Sequence, residues 1–129
     1  MSRSIFASGV LPARQTTTAT TTTGSAIDLQ LYDGKAYILI DCTQATAGTT
    51  PTATFSITEC ATSGGDYTAV TLPTTPTVVT DAAGGGTQFI EFDVADTQRY
   101  IKGVCVTAGT NTPTFQFSMQ LVGNKQYQA

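Results

Sequence analysis

The last strongly apolar segment of the chain, residues 114–122, alternates strictly between apolar and polar residues. Its apolar members fall on one side of an extended strand: Phe115, Phe117, Met119 and Leu121. Alternation with a period of two predicts a β-strand with one buried face. No segment repeats apolar residues at helical spacing, so the chain is predicted to be all-β, and parallel strands joined by crossover helices are excluded.

Six or seven more extended segments precede this strand, separated by turns rich in Gly, Pro and Thr. Short strands at a spacing of roughly ten residues predict an antiparallel β-sandwich of 7–8 strands, Ig-like or jelly-roll-like. Threonine makes up about a fifth of the chain, and its branched side chain favours extended backbone. Between the segments 26–32 and 35–42, the dipeptide Asp33-Gly34 predicts a type I′ hairpin turn.

Residues 1–25 contain Pro12 and a run of threonines, with no regular alternation. They are predicted to form an extended Thr-rich N-terminal arm, and residues 26–129 the sandwich domain. Such an arm could reach about 80 Å, beyond a domain roughly 35 Å across. One hypothesis is that it contacts an adjacent copy or a larger assembly; the alternative is a disordered tail. The candidate partner-binding residues are Arg3, Ile5, Phe6, Val10, Leu11 and Arg14.

Charge and residue types exclude several function classes. The net charge is −3 and no basic stripe exists, which argues against nucleic-acid binding. No segment has the roughly 20 consecutive apolar residues that would span a bilayer. The chain has no histidine, which rules out Ser-His and Cys-His nucleophile pairs and the commonest zinc sites. We therefore expect no catalytic residue, no metal and no cofactor, and a protein that is not an enzyme.

One carboxylate pair resembles a glycosidase arrangement. Glu91 and Asp93 lie two residues apart on a predicted strand, which places them about 7 Å apart on one face. Phe89 shares that face, while Ile90 and Phe92 lie on the other. The pattern favours an acidic, solvent-facing edge over a catalytic pair.

The three cysteines, Cys42, Cys60 and Cys105, each fall within a predicted strand and lack CxxC spacing. Free cysteine behaves as a small apolar residue. They are predicted to be reduced core residues of a protein made in a reducing cytoplasm, the alternative being one disulfide and a leftover thiol.

Three segments of the chain read TTTTGSAIDLQLYDGKAYILIDC, TATFSITECATSGGDYTAV and DTQRYIKGVCVTAGTNTPTFQFSMQLVGN. In this order they resemble a group of small structural proteins of tailed bacteriophages. The resemblance covers about residues 15–124 and rests on structural motifs. At residues 60–66 it departs from the charged turn common in those proteins. It implies a capsid-associated β-sandwich, of the kind that includes head decoration, or cement, proteins, with no cofactor or catalytic residue.

The function expected from this resemblance is a virion structural protein that decorates and stabilises the phage head. Its expected partners are the major capsid protein and further copies of itself as a homo-oligomer, usually a trimer, with no nucleic acid and no membrane. We expect it in the virion capsid after synthesis in the host bacterial cytoplasm. The alternatives are a β-sandwich associated with the tail, neck or fibre, or a carbohydrate-binding adhesive module.

Overall fold

A computed structural model describes the backbone of residues 2–127 and the side chains of residues 9–125. The only helical segment in this part of the chain is a short 3₁₀ turn, Val94–Asp96. The eight strands are β1 (Ser2–Thr16), β2 (Thr20–Thr23), β3 (Ile27–Asp28), β4 (Tyr32–Cys42), β5 (Ala47–Cys60), β6 (Thr68–Ala69), β7 (Gly86–Asp93) and β8 (Tyr100–Tyr127). The predicted all-β, antiparallel fold class is confirmed.

The strands form one curled antiparallel sheet that folds into two layers. The front layer has the order β1, the second half of β8, β4 and β7. In the back layer, β2 and β3 pair one after the other with one side of the first half of β8. On its other side this half of β8 pairs with β5, and β5 pairs with β6. The strand β8 is therefore central in both layers and connects them.

A single apolar core fills the space between the layers. The predicted inward residues of the last strand are all buried, and so are alternate residues of β5: Phe115, Phe117, Met119, Leu121, Ala53, Phe55 and Ile57. The rings of Phe55 and Phe117 meet across the layers edge to face, with centroids 5.8 Å apart. Their contact joins the back layer to the front layer at the middle of the core.

The strand β8 crosses between the layers at residues 109–112, where one of the predicted turns between strands was expected. Gly109, Asn111 and Thr112 have positive φ angles, and the register against β5 shifts in this region. Asn111 Nδ2 also donates to Thr49 Oγ1 at 2.7 Å. Irregular residues of this kind bend a strand without ending it, so one continuous strand replaces two strands and a loop.

The predicted hairpin at Asp33-Gly34 is wrong. Gly34 has the expected positive φ of 70°, but it lies in a bulge inside β4. The chain turns earlier, where Asp28 Oδ1 accepts from Gln30 N at 2.9 Å and Tyr32 N donates to Leu29 O at 3.0 Å. The strand β3 pairs with β8 instead of β4.

The leader lies along β8 of its own chain, which corrects the expectation that it leaves its own domain. Ser2–Thr16 and Thr20–Thr23 both pair with β8. A threonine-rich segment buries little by itself, but β8 offers it a full row of backbone partners. The boundary placed at residue 25 therefore does not separate the leader from the sheet, and whether residues 26–129 fold without it stays a prediction.

Candidate interaction surface

The outer face of the front layer exposes a group of large apolar side chains. Phe89 on β7 has 67% of its surface exposed, and Tyr37 on β4 has 39%. The ladder places Leu39 opposite Phe89 and Val122 opposite Tyr37, and both are half-buried. We call these four residues the Phe89 patch. A contiguous apolar group on an otherwise polar face is typical of a surface that binds another protein.

One hydrogen bond and one ion pair hold the polar groups beside this patch. Tyr37 Oη donates to Glu91 Oε2 at 3.1 Å, and Lys35 Nζ lies 3.6 Å from Glu91 Oε1. The hydrogen bond to Glu91 raises the pKa of Tyr37, because the protonated phenol is the form that donates. Glu91 thus fixes the Tyr37 hydroxyl at the rim of the patch.

The neighbouring carboxylate has a different structural role. Asp93 Oδ1 accepts from Ala95 N at 3.1 Å and so begins the 3₁₀ turn. Glu91 is engaged with Tyr37 and Lys35, while Asp93 is engaged with backbone. This arrangement supports the interpretation of the pair as an acidic, solvent-facing edge.

An open groove lies between the end of β1 and the middle of the front layer. It has a volume of about 430 Å³ and is lined by residues 13–15, 41–43 and 116–118. Arg14 and Asp41 bring opposite charges to its walls. Cys42 also lines it, but burial raises the pKa of that thiol to about 12, so it lacks the thiolate that a nucleophile needs.

The candidate partner-binding residues of the leader fall into three places. Val10 and Leu11 are 0% and 1% exposed and belong to the core of this chain, which corrects the expectation that they contact a neighbour. Arg14 is exposed and lies in the groove. The side chains of Arg3, Ile5 and Phe6 lie outside the described residues, although their backbone belongs to β1.

Two glycines explain why Val10 fits into the core. A Cβ atom on Gly24 would overlap the Val10 carbonyl, and one on Gly103 would lie 2.5 Å from Val10 Cγ1. Gly24 N also donates to Gly103 O at 2.9 Å, which holds the two glycines together. We call Gly24 and Gly103 the Val10 seat.

A buried threonine fixes the chain between β1 and β2. Thr107 Oγ1 donates to Thr18 O at 2.9 Å, with Thr20 O at 3.2 Å as a second acceptor. The same oxygen accepts from Thr20 N at 3.2 Å. Sequence reasoning missed this contact because the two partners lie 87 to 89 residues from Thr107.

Sequence reasoning also missed the Phe89 patch, for which a signal existed. Phe89 shares a strand face with Glu91 and Asp93, the side that alternation assigns to solvent. A large aromatic residue on a polar face is the pattern that identifies an exposed contact residue. Tyr37 and Leu39 could not be added from sequence, because the nearly continuous apolar run in β4 hides which face is buried.

Within residues 9–125 no group of three or more acidic or cysteine side chains is arranged to bind a metal ion. In the same part of the chain, no helix has the length and apolar character needed to cross a membrane. All three cysteines are free and buried, as predicted.

Comparison with solved structures finds chains of similar fold. The VP2 subviral particle of infectious bursal disease virus matches with a TM-score of 0.56 at 12% identity, over 96% of this chain and 33% of that chain. The structure of the Gt strain of the same virus matches with a TM-score of 0.51 at 14% identity, over 96% of this chain and 33% of that chain. This chain thus spans about a third of the length of the viral chains that it matches.

A match to the SPBc2 prophage-derived protein YomS covers 95% of this chain and 96% of that one, at 13% identity and a TM-score of 0.44, too low to support an argument. No protein-family model and no curated protein matches the sequence. At these identities the matches establish the architecture alone. The chain is therefore similar in fold to the particle protein VP2 of infectious bursal disease virus.

Proposed function

We propose that this chain is a structural protein of a phage virion that decorates the head and stabilises it through protein–protein contacts. Its partners are the major capsid protein and other copies of itself, and its location is the capsid. It works without a cofactor, without nucleic acid and without a membrane.

The observation that carries the proposal is the combination of fold and surface. The fold is similar to that of VP2 in the subviral particle of infectious bursal disease virus, at a TM-score of 0.56. On this fold, the Phe89 patch exposes apolar side chains on the outer face of the front layer. A protein that stays monomeric usually has polar residues at such positions. A surface of this kind supports a role in assembly.

Avidity explains how such a protein can act with modest individual contacts. Many identical copies on a symmetric shell bind as one unit when they also touch each other, and the combined affinity exceeds that of any single contact. Each contact then needs only a small apolar patch and a polar rim, which is what the front layer presents.

The direct test is the copy number of the chain in purified virions made by the genome that encodes it. Quantitative mass spectrometry should find it at a number comparable with that of the major shell protein. A few copies per particle would indicate the alternative role in the tail, neck or fibre, and absence from the virion would contradict the proposal.

A second experiment tests stabilisation. Virions that lack the chain should release their DNA at a lower temperature than complete virions, and added purified chain should restore the higher temperature. The bound amount should saturate at a fixed ratio to the shell protein. No binding to shells would overturn the decoration role even if the chain were present elsewhere in the particle.

A further inference from the structure

The front layer has two unpaired edges. Within the described backbone, β1 pairs only with β8, and β7 pairs only with β4. Neither strand makes further backbone hydrogen bonds there with another part of the chain. Each therefore presents a row of N–H and C=O groups that can pair with another strand.

The two edges are matched in length and direction. The strand β7 has eight residues, and β1 pairs with β8 without a register shift from Ser2 to Gly9, a stretch of the same length. Adjacent strands of the layer alternate in direction across the order β1, β8, β4, β7, so β1 and β7 run in opposite directions. A second copy in the same orientation places its β1 antiparallel to β7 of the first copy.

Charge favours this head-to-tail pairing over the two symmetric alternatives. The stretch Ser2–Gly9 carries Arg3 and no acid, whereas β7 carries Glu91 and Asp93 and no base. Pairing β7 with β7 would bring four carboxylates together, and Lys35 offsets only Glu91. Like charges on facing strands are destabilising and unlike charges are favourable.

One register satisfies charge and apolar contact together. In an antiparallel ladder, the residue numbers of opposite partners have a constant sum. A register that sets Arg3 opposite Glu91 therefore also sets Ile5 opposite Phe89. Among the side chains of residues 9–125, Phe89 is the most exposed large apolar one, at 67%, and it lies on the edge strand where such a partner would cover it.

We infer that β7 of one copy pairs antiparallel with β1 of the next copy, with Phe89 at the centre of the contact. This interface deepens the proposed function and rests on it for its role in the particle: copies joined head to tail form a ring or chain with one repeated contact. The occupant of the Phe89 patch is thus a second copy of this protein.

Association of the purified full chain in solution tests the interface. Sedimentation velocity or light scattering should show an oligomer that dissociates on dilution. Phe89→Ser should weaken association by at least about tenfold, because aromatic residues at interface centres dominate binding. The matched control is Val106→Ser, a residue 41% exposed on the central strand β8, which should leave association unchanged. A monomeric wild type, or equal effects of both substitutions, would overturn the inference.

A mixing experiment separates head-to-tail pairing from symmetric pairing. A chain lacking residues 2–8 keeps β7, and the Phe89→Ser chain keeps β1. Neither should assemble alone, but an equimolar mixture should form a dimer of one copy of each. If the shortened chain self-associates like the wild type, or the mixture stays monomeric, the inference is wrong. Should the shortened chain fail to fold, as judged by circular dichroism, Arg3→Glu replaces it.

The failure of the inference and that of the proposed function can be told apart. Solution association does not involve viral particles, and particle binding can be measured with the monomeric Phe89→Ser chain at a range of concentrations. A chain that assembles as described but never binds heads contradicts the proposed function only. A chain that binds heads but shows the same association with and without Phe89 contradicts the interface only.

Discussion

Gly24 lies so close to Val10 that a Cβ atom on residue 24 would be only 1.8 Å from the Val10 carbonyl oxygen. From the opposite strand, Gly103 leaves room for the Val10 side chain. Val10 is consequently fully buried, although it belongs to a leader whose sequence predicts a detached segment. Because Gly24 and Gly103 carry no side chain, β1 can pack into the sheet of its own chain.

We expect Gly24→Ala to displace β1 around Val10. The added methyl group meets backbone and not a flexible side chain, so the strand itself must shift. Overpacking of this kind costs about 1–3 kcal/mol. Chemical denaturation should show this loss of unfolding free energy, and amide exchange should rise in residues 10–16.

The matched control is Gly9→Ala in the same strand. A Cβ atom on Gly9 has no neighbour within 4 Å, so this substitution should change stability by less than about 0.5 kcal/mol. Equal effects of Gly9→Ala and Gly24→Ala would contradict the role given to the Val10 seat.

We expect Thr107→Val to loosen the connection between β1 and β2. Valine keeps the shape of threonine but removes the hydroxyl that bonds to the backbone of Thr18 and Thr20. These hydrogen bonds are part-buried, and the loss of an ordinary hydrogen bond costs about 0.5–1.5 kcal/mol. Limited proteolysis should then cut near residue 18 faster than in the wild type. The exposed strand residue Thr54 supplies the control, because Thr54→Val should leave the cutting rate unchanged.

The parts of the fold that follow from local pattern could be predicted. Alternation in β5 and in the second half of β8 identifies their buried residues, because a strand with one buried face repeats every two residues whatever its partner. The same holds for Ile90 and Phe92 of β7, which are buried as their alternation indicates.

Pairing between distant segments could not be predicted from local pattern. Asp33-Gly34 gives the same signal in a hairpin turn and in a bulge, and the choice depends on β8. Leu29 N donates to Arg99 O at 2.7 Å, and Arg99 forms two hydrogen bonds with Asp28, so β3 pairs with β8. The candidate surface is non-local as well, because Phe89 meets Leu39 only once β7 pairs with β4.

The Asp28–Arg99 pair predicts a pH dependence of stability. Its hydrogen bonds with Arg99, the largest cause, lower the pKa of Asp28 from its ordinary value of 3.8. Because the pKa is lower in the folded state, the Asp28 carboxylate stabilises the protein at pH values above 3.8. This stabilisation is lost as the pH falls through the folded-state pKa. Both side chains are more than a third exposed, so the effect stays below about 1 kcal/mol.

The measurement compares melting temperatures of the wild type and Asp28→Asn across acidic pH. The wild type should melt higher near neutral pH, and the gap should close as the solution becomes more acidic than 3.8. The exposed residue Asp66 supplies the control substitution, Asp66→Asn, measured under the same conditions. A gap that widens in acid would contradict the sign of the linkage.

We expect the thiols of Cys42 and Cys105 to react slowly with alkylating reagents in the native protein. Burial is the largest cause that raises the pKa of each thiol, from 9.0 to about 12. This rise in pKa lowers the thiolate fraction at neutral pH by about a thousandfold relative to an ordinary thiol.

In a Cys60→Ser background, alkylation at mildly alkaline pH should label neither Cys42 nor Cys105 in the folded state and both in denaturant. Adding Thr54→Cys, an exposed position on β5, supplies a fast-reacting internal standard. Native labelling of Cys42 or Cys105 at the rate of that standard would show that the interior between the layers is open to solvent.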